Sequence, residues 1–226
     1  MQPTPDLNDL AERARGLAAA DAVDALVKMF DHRSHISGLI GPVGNKPILG
    51  PALTVSFMPV RRDIMDKHRH SLGPAIYRAV ADHNPKGAVL VISSNGHPTT
   101  SLGGSTKLSR VKNLEMAGVV CDGFLRDFDE LAEYPFSSYC NGEAIRAGGN
   151  EIQPYLADVP VNVAGVTILP GDIIFADETG VAIIPADKAG EILDSAQKIK
   201  AMGYSMRSII AAEDPADVIE NGSKEL

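Results

Sequence analysis

The stretch AVLVISSNGHPTTSLGGSTKLSRVKNLEMAGVVCDG (88–123) decides the fold. AVLVISS (88–94) is a short apolar run rich in β-branched side chains, with the length of a buried strand. NGHPTTSLGGS (95–105) is dense in turn formers. TKLSRVKNLEM (106–116) sets Leu108, Val111 and Leu114 at helical spacing, with Glu115 and Met116 beside them. AGVVCDG (117–123) reads as a second short buried strand. Strand, loop, helix and strand of these lengths make one βαβ crossover with parallel strands. Ligands of open α/β sheets gather beyond the carboxyl ends of such strands. The chemistry is therefore expected in NGHPTTSLGGS and in DGFLRDFDE (122–130).

Upstream, Leu7, Leu10, Ala11, Ala14 and Leu17 follow a helical period with Asp6 as N-cap, and DAVDALVKMF (21–30) predicts a second helix. Residues 38–51 are rich in Gly and Pro and read as loop, and ALTVSFMPV (52–60) reads as a strand. RRDIMDKHRHSLG (61–73) has no clean period and reads as an exposed charged loop, either solvated or touching a substrate tail. PAIYRAVADH (74–83) has the proline start of a helix. Downstream, residues 158–185 predict a strand-rich meander, 186–202 an amphipathic helix, and 205–212 a shorter one. No composition break divides the chain. The expectation is a single α/β domain over 1–226, with an N-terminal helix within 1–20 and helices and a tail over 186–226.

A formal net charge of −8 disfavours nucleic acid as a partner. Cys121 and Cys140 are too few for a Cys-rich zinc site or a secreted disulfide framework, which with the polar N-terminus gives a cytoplasmic expectation. The apolar runs are too short and too often broken to span a bilayer, so no membrane partner is expected.

Arg126 and Asp127 follow a buried strand through Asp122-Gly123. One reading has Arg126 in a local ion pair and Asp127 capping the helix FDELAEY. The other has Asp127 on a hard cation and Arg126 clamping a carboxylate or enolate, because Mg²⁺ takes few protein carboxylates and the guanidinium fork matches an anionic oxygen pair. Gly103-Gly104 leading into a helix opens backbone amides to an anion, or else forms a plain turn with Ser105 or Thr106 as N-cap. The six histidines form no H-x-x-x-H pair; His97 lies in the first candidate loop and is the catalytic candidate among them.

GPALTV (50–55), the SLGG turn, AGVVCDGFLRDFDEL (117–131) and ILPGDIIFADETGVAIIP (168–185) together resemble the RraA-like family, over roughly residues 20–200. That family includes 4-hydroxy-4-methyl-2-oxoglutarate and 4-carboxy-4-hydroxy-2-oxoadipate aldolases and the regulators of ribonuclease activity A. The resemblance implies a three-layer β/β/α swivelling-domain-like fold, built on the central βαβ unit with a C-terminal meander and helices. It implies homotrimers or homohexamers, Mg²⁺ or Mn²⁺, and a keto-acid substrate yielding pyruvate. Residue by residue, Arg126 matches the substrate-binding arginine and Asp127 the metal ligand. Gly103, Gly104 and the amides of Ser105 and Thr106 match the carboxylate-binding loop, and Glu130 the acidic residue shortly after the Arg-Asp pair, a second metal candidate. Ser105 stands where the aldolases carry an acid, so retro-aldol cleavage, which needs a base, is expected to suffer more than decarboxylation. His97, Glu130 or a hydroxide held by Ser105 are the candidate replacements. The alternative function is a non-catalytic regulator that binds an RNA-processing enzyme.

Overall fold

A computed structural model of the chain describes residues 6–97 and 100–223. Asp6 caps α1 (Leu7–Arg13) by accepting from the Asn8 amide at 2.9 Å, and α2 (Ala19–Met29) follows. A two-residue strand β1 (His35–Ile36) precedes β2 (Ile48–Pro59), which begins at Ile48 rather than at the expected Ala52. Gly50 and Pro51, read as loop, lie inside this strand. Gly50 leaves room for the Gly87 carbonyl, and Pro51 stands opposite Ile173. Tertiary pairing here overrides turn propensity.

Helix α3 (Leu72–Val80) carries Pro74 in its first turn, where the missing amide costs little. Next come β3 (Val89–Ser93), β4 (Ser101–Gly103), α4 (Ser105–Asn113), β5 (Gly118–Cys121), β6 (Phe124–Leu125), α5 (Phe128–Ala132), β7 (Ser137–Tyr139) and β8 (Gly142–Glu143). The crossover is present: β3 and β5 pair in parallel, Val89 opposite Gly118 and Ile92 opposite Cys121.

The C-terminal half holds the expected run of strands, divided between two sheets. After β9 (Ile152–Ala157), the strands β10 (Val161–Val163) and β11 (Val166–Ile168) form a separate hairpin. The pair β12 (Ile173–Asp177) and β13 (Gly180–Ile184) instead joins the main sheet alongside β2. The two expected helices after residue 186 merge into one, α6 (Ala189–Ile210), followed by α7 (Pro215–Asn221). Gly203 does not break α6, since one helical glycine costs only about 1 kcal/mol.

The main sheet runs β1-β13-β12-β2-β3-β5-β7, with β9 added along the far half of β2. Alternation along β3 sends Leu90 and Ile92 into a core shared with Ile76 of α3 and Leu108 of α4. Val89 and Val91 face the other way, into a core with Val163 and Ile168 of the hairpin. A third core joins Leu26 of α2 and Ile192 of α6 to Phe175 of β12. Helices thus cover one face of the parallel strands and a small β layer the other. Both cysteines are buried and unpaired.

A second sheet, β4-β6-β8, decides where the site lies. β3, β5 and β7 each continue, after a short connection, into β4, β6 and β8, which pair in parallel as their parents do. The carboxyl ends of β4 and β6 are therefore neighbours, and the Arg126 amide donates to the Gly103 carbonyl at 3.0 Å.

Candidate active site

Asp127 sits at the N-cap position of α5 with φ 63°, a left-handed backbone that Asp tolerates better than most residues. Its side chain does not cap that helix. The Phe128 amide bonds the Glu143 carboxylate instead, at 2.9 Å. The Asp127 carboxylate turns back toward α4, where Oδ2 accepts from both the amide and the hydroxyl of Ser105, each at 3.1 Å. Oδ1 lies 3.4 Å from Nε of Arg126. Gly104 permits this approach: a Cβ there would stand 2.5 Å from Asp127 Oδ2. The glycine is needed for close contact rather than for an unusual backbone angle.

The cap of α4 is Gly104, with Ser105 as its first residue, so neither Ser105 nor Thr106 is the N-cap. Ser105 is buried, its carbonyl receives the Tyr134 hydroxyl at 3.2 Å, and its hydroxyl proton is committed to Asp127. Tyr134 thereby ties α4 to the segment after α5.

Arg126 and Asp127 are adjacent on the wall of a cavity of about 320 Å³, together with Gly103, Gly104 and Thr106. Apolar walls come from Phe57, Leu72 and Ile152. Lys67 and Lys107 join Arg126 as the cations of this wall, with His70 beside them, and among the described residues Asp127 is its sole carboxylate. Neither Lys67 nor Lys107 has an ion-pair partner among the described residues. Three cations facing one carboxylate, in a chain of net charge −8, make a local anion trap. Arg126 and Asp127 also border a shallower depression with Glu143, Ala144 and Ile145.

The other sequence candidates lie elsewhere. His97 is half-buried, its Nδ1 lacks a hydrogen-bond partner among the described residues, and it does not line the cavity; the adjoining Pro98 and Thr99 fall outside the described residues. Glu130 is exposed on α5 and borders neither the cavity nor the depression. Asp122, which sequence reading passed over, is buried and receives the amides of Ser94 at 2.6 Å and Ala164 at 3.0 Å. It pins the chain leaving β3 to the β10–β11 turn. The only sequence cue was its place before Gly123.

For a hard divalent ion, Asp127 offers one carboxylate whose Oδ1 has, among the described residues, only the long Arg126 contact. Among the described residues no three His, Cys, Asp or Glu side chains converge on a metal position. One carboxylate beside an open cavity fits Mg²⁺ or Mn²⁺, which keep several waters, and does not fit a closed all-protein cage.

Comparison with known proteins agrees with this architecture. A putative 4-hydroxy-4-methyl-2-oxoglutarate aldolase of Halalkalibacterium halodurans is 31% identical over 188 residues, covering 80% of this chain and 78% of the relative. Protein DlpA of Legionella pneumophila is 30% identical over 167 residues, 73% of this chain, which spans only 26% of that longer protein. The crystal structure of Streptomyces coelicolor RraAS2, an unusual member of the RNase ES inhibitor RraA protein family, superposes with a TM-score of 0.76. It is 30% identical, over 92% of this chain and 99% of that one. The family model described as RraA-like, Aldolase/RraA, matches residues 11–183. With that match over most of its length, the chain belongs to the RraA-like family.

Proposed function

We propose that this protein is a divalent-metal-dependent lyase that cleaves a C–C bond of a 2-keto acid through a pyruvate enolate. The observation that carries the reading is Arg126 and Asp127 side by side on a cavity wall at the start of α4, where Gly104 lets the Asp127 carboxylate approach. The name of the H. halodurans relative points the same way.

The Thr106 amide, next to the Ser105 amide that Asp127 takes, and the Arg126 guanidinium bind the keto-acid carboxylate and face the oxygen on which negative charge develops. Ser105, through its two bonds to Oδ2, holds the Asp127 carboxylate in one orientation. Mg²⁺ or Mn²⁺ at Asp127 would act as a Lewis acid on the keto oxygen. Phe57, Leu72 and Ile152 keep one side of the cavity apolar, which strengthens these charge interactions. Lys67 and Lys107 suit a substrate with a further anionic group. Loss of CO₂ from an oxaloacetate-type acid needs no base, whereas retro-aldol cleavage of a 4-hydroxy-2-oxo acid does.

The test offers oxaloacetate and 4-hydroxy-4-methyl-2-oxoglutarate with Mg²⁺ or Mn²⁺ and follows pyruvate. Pyruvate that disappears with a chelator and with Asp127→Ala supports the reading; none from either acid refutes it. The second reading, a protein-binding regulator of an RNA-processing enzyme, is favoured by the likeness to RraAS2. It predicts no metal binding by calorimetry and capture of a ribonuclease partner. Assembly as a trimer or hexamer belongs to the same proposal: Met202, Ile209 and Ile210 on α6 and Ile219 on α7 are exposed in the single chain. Gel filtration of a stable, active monomer would remove it. No helix among the described residues is long and apolar enough to cross a membrane.

A further inference from the structure

Retro-aldol cleavage leaves the proton of the substrate's 4-hydroxyl in need of an acceptor, and the three replacements drawn from sequence do not supply one. Ser105 donates its hydroxyl proton to Asp127, and His97 and Glu130 lie off the cavity wall. We propose that His70, carried into the cavity by the charged loop between β2 and α3, is the general base of the retro-aldol step. This rests on the lyase reading above.

His70 lines the same cavity as Arg126 and Asp127. Its Nδ1 lies 3.2 Å from the Asp66 carbonyl oxygen. A carbonyl can only accept, so in the neutral ring Nδ1 carries the hydrogen and Nε2 the lone pair. The ring stacks on Tyr155 of β9, centroids 5.7 Å apart and planes 19° from parallel, which fixes its plane. The loop is itself anchored, because the Asp66 carboxylate accepts from the amides of His68 and Arg69, both at 2.9 Å. An imidazole oriented through one nitrogen and open at the other is the arrangement a positioned base requires. The charged and titratable groups around it are Asp66 and Lys67 on its own loop, Tyr155 on β9, and Lys107, Arg126 and Asp127 on the rest of the cavity wall.

In the step assigned to it, Nε2 removes the proton of the 4-hydroxyl. The C4 oxygen becomes a carbonyl as the C3–C4 bond breaks, and the bonding pair passes to the C2 oxygen as the enolate. The imidazolium then returns its proton to C3, giving pyruvate and neutral His70. No further reagent is needed.

The experiment uses the full chain with Mg²⁺ and compares His70→Gln and His70→Asn with the parent on both substrates. Pyruvate from 4-hydroxy-4-methyl-2-oxoglutarate should fall about 10²-fold or more in kcat with KM nearly unchanged. Oxaloacetate decarboxylation should stay within about threefold, and added imidazole should restore part of the retro-aldol rate. The pH dependence of the retro-aldol kcat should also lose its acid limb in both variants. Equal loss of both reactions, or retro-aldol activity surviving in both variants, overturns the assignment. A parent that decarboxylates oxaloacetate without cleaving the hydroxy acid overturns this assignment alone. A parent that releases pyruvate from neither substrate overturns the lyase reading with it.

Discussion

Gly104→Ala tests the site at its tightest point. The backbone there, φ −128° and ψ 173°, suits alanine, so the substitution strains no dihedral. The added methyl would meet Asp127 Oδ2 at 2.5 Å, and the carboxylate must recede by about 0.9 Å to reach ordinary contact at 3.4 Å. Both 3.1 Å bonds from Ser105 then stretch beyond hydrogen-bonding range. Losing two bonds to a partly solvated carboxylate costs about 1–3 kcal/mol, and the stiffer unfolded chain returns about 0.4–1 kcal/mol. A net loss of about 1–2 kcal/mol lowers Tm by about 2–8 °C in a chain of this size. Displacing a positioned group by about 1 Å costs far more in rate, about 10²-fold in kcat/KM. Coupled pyruvate release, calorimetric Mn²⁺ binding and a melting curve measure the three quantities. Parental kcat/KM together with parental Mn²⁺ affinity would refute the contact between Gly104 and Asp127 as the organiser of the site.

Ser105→Asp restores an acid beside Asp127. Without metal, two adjoining carboxylates should lower Tm, and Mn²⁺ should raise it more than in the parent, with Kd tighter by about tenfold; an unchanged Mn²⁺ response contradicts the metal assignment. Lys67→Gln should raise KM for oxaloacetate several-fold while inhibition by monoanionic pyruvate stays constant, and equal weakening of both would show that Lys67 does not read the second charge. Burial pushes the Asp172 carboxyl up from 3.8 to about 6, against the Leu169 amide that bonds it at 2.8 Å. The folded state therefore holds this proton more tightly than the unfolded chain, and stability falls as pH rises from about 4 through about 6. The loss is at most about 3 kcal/mol and nearer 1–2 after allowing for the exposed part of the group. The Tm advantage of Asp172→Asn should accordingly widen between pH 4 and 7 and then level off; a pH-independent difference would count against the shift.

Local chemistry made much of this protein legible. The apolar runs at 88–94 and 117–123, with a helical period between them, identified the parallel crossover, and the residues after each strand include the two segments that meet on one cavity wall. Gly50 and Pro51 misled because turn propensity is a local property, whereas their place in β2 follows from the strands on either side. The split predicted at Gly203 failed for the related reason that one glycine's cost is smaller than the gain from continuing the helix.

By itself, then, the sequence determined the family, the crossover and the pair Arg126-Asp127, because each is written within a short span of chain whose spacing encodes its own geometry. Only the tertiary structure decided which distant side chains share the cavity. Sheet order sets β9 along β2 and brings the 61–71 loop, with Lys67 and His70, to face Asp127, while His97 and Glu130, nearer in sequence, fall away. Membership of that wall depends on contacts between residues far apart in the chain, and no local periodicity carries that information.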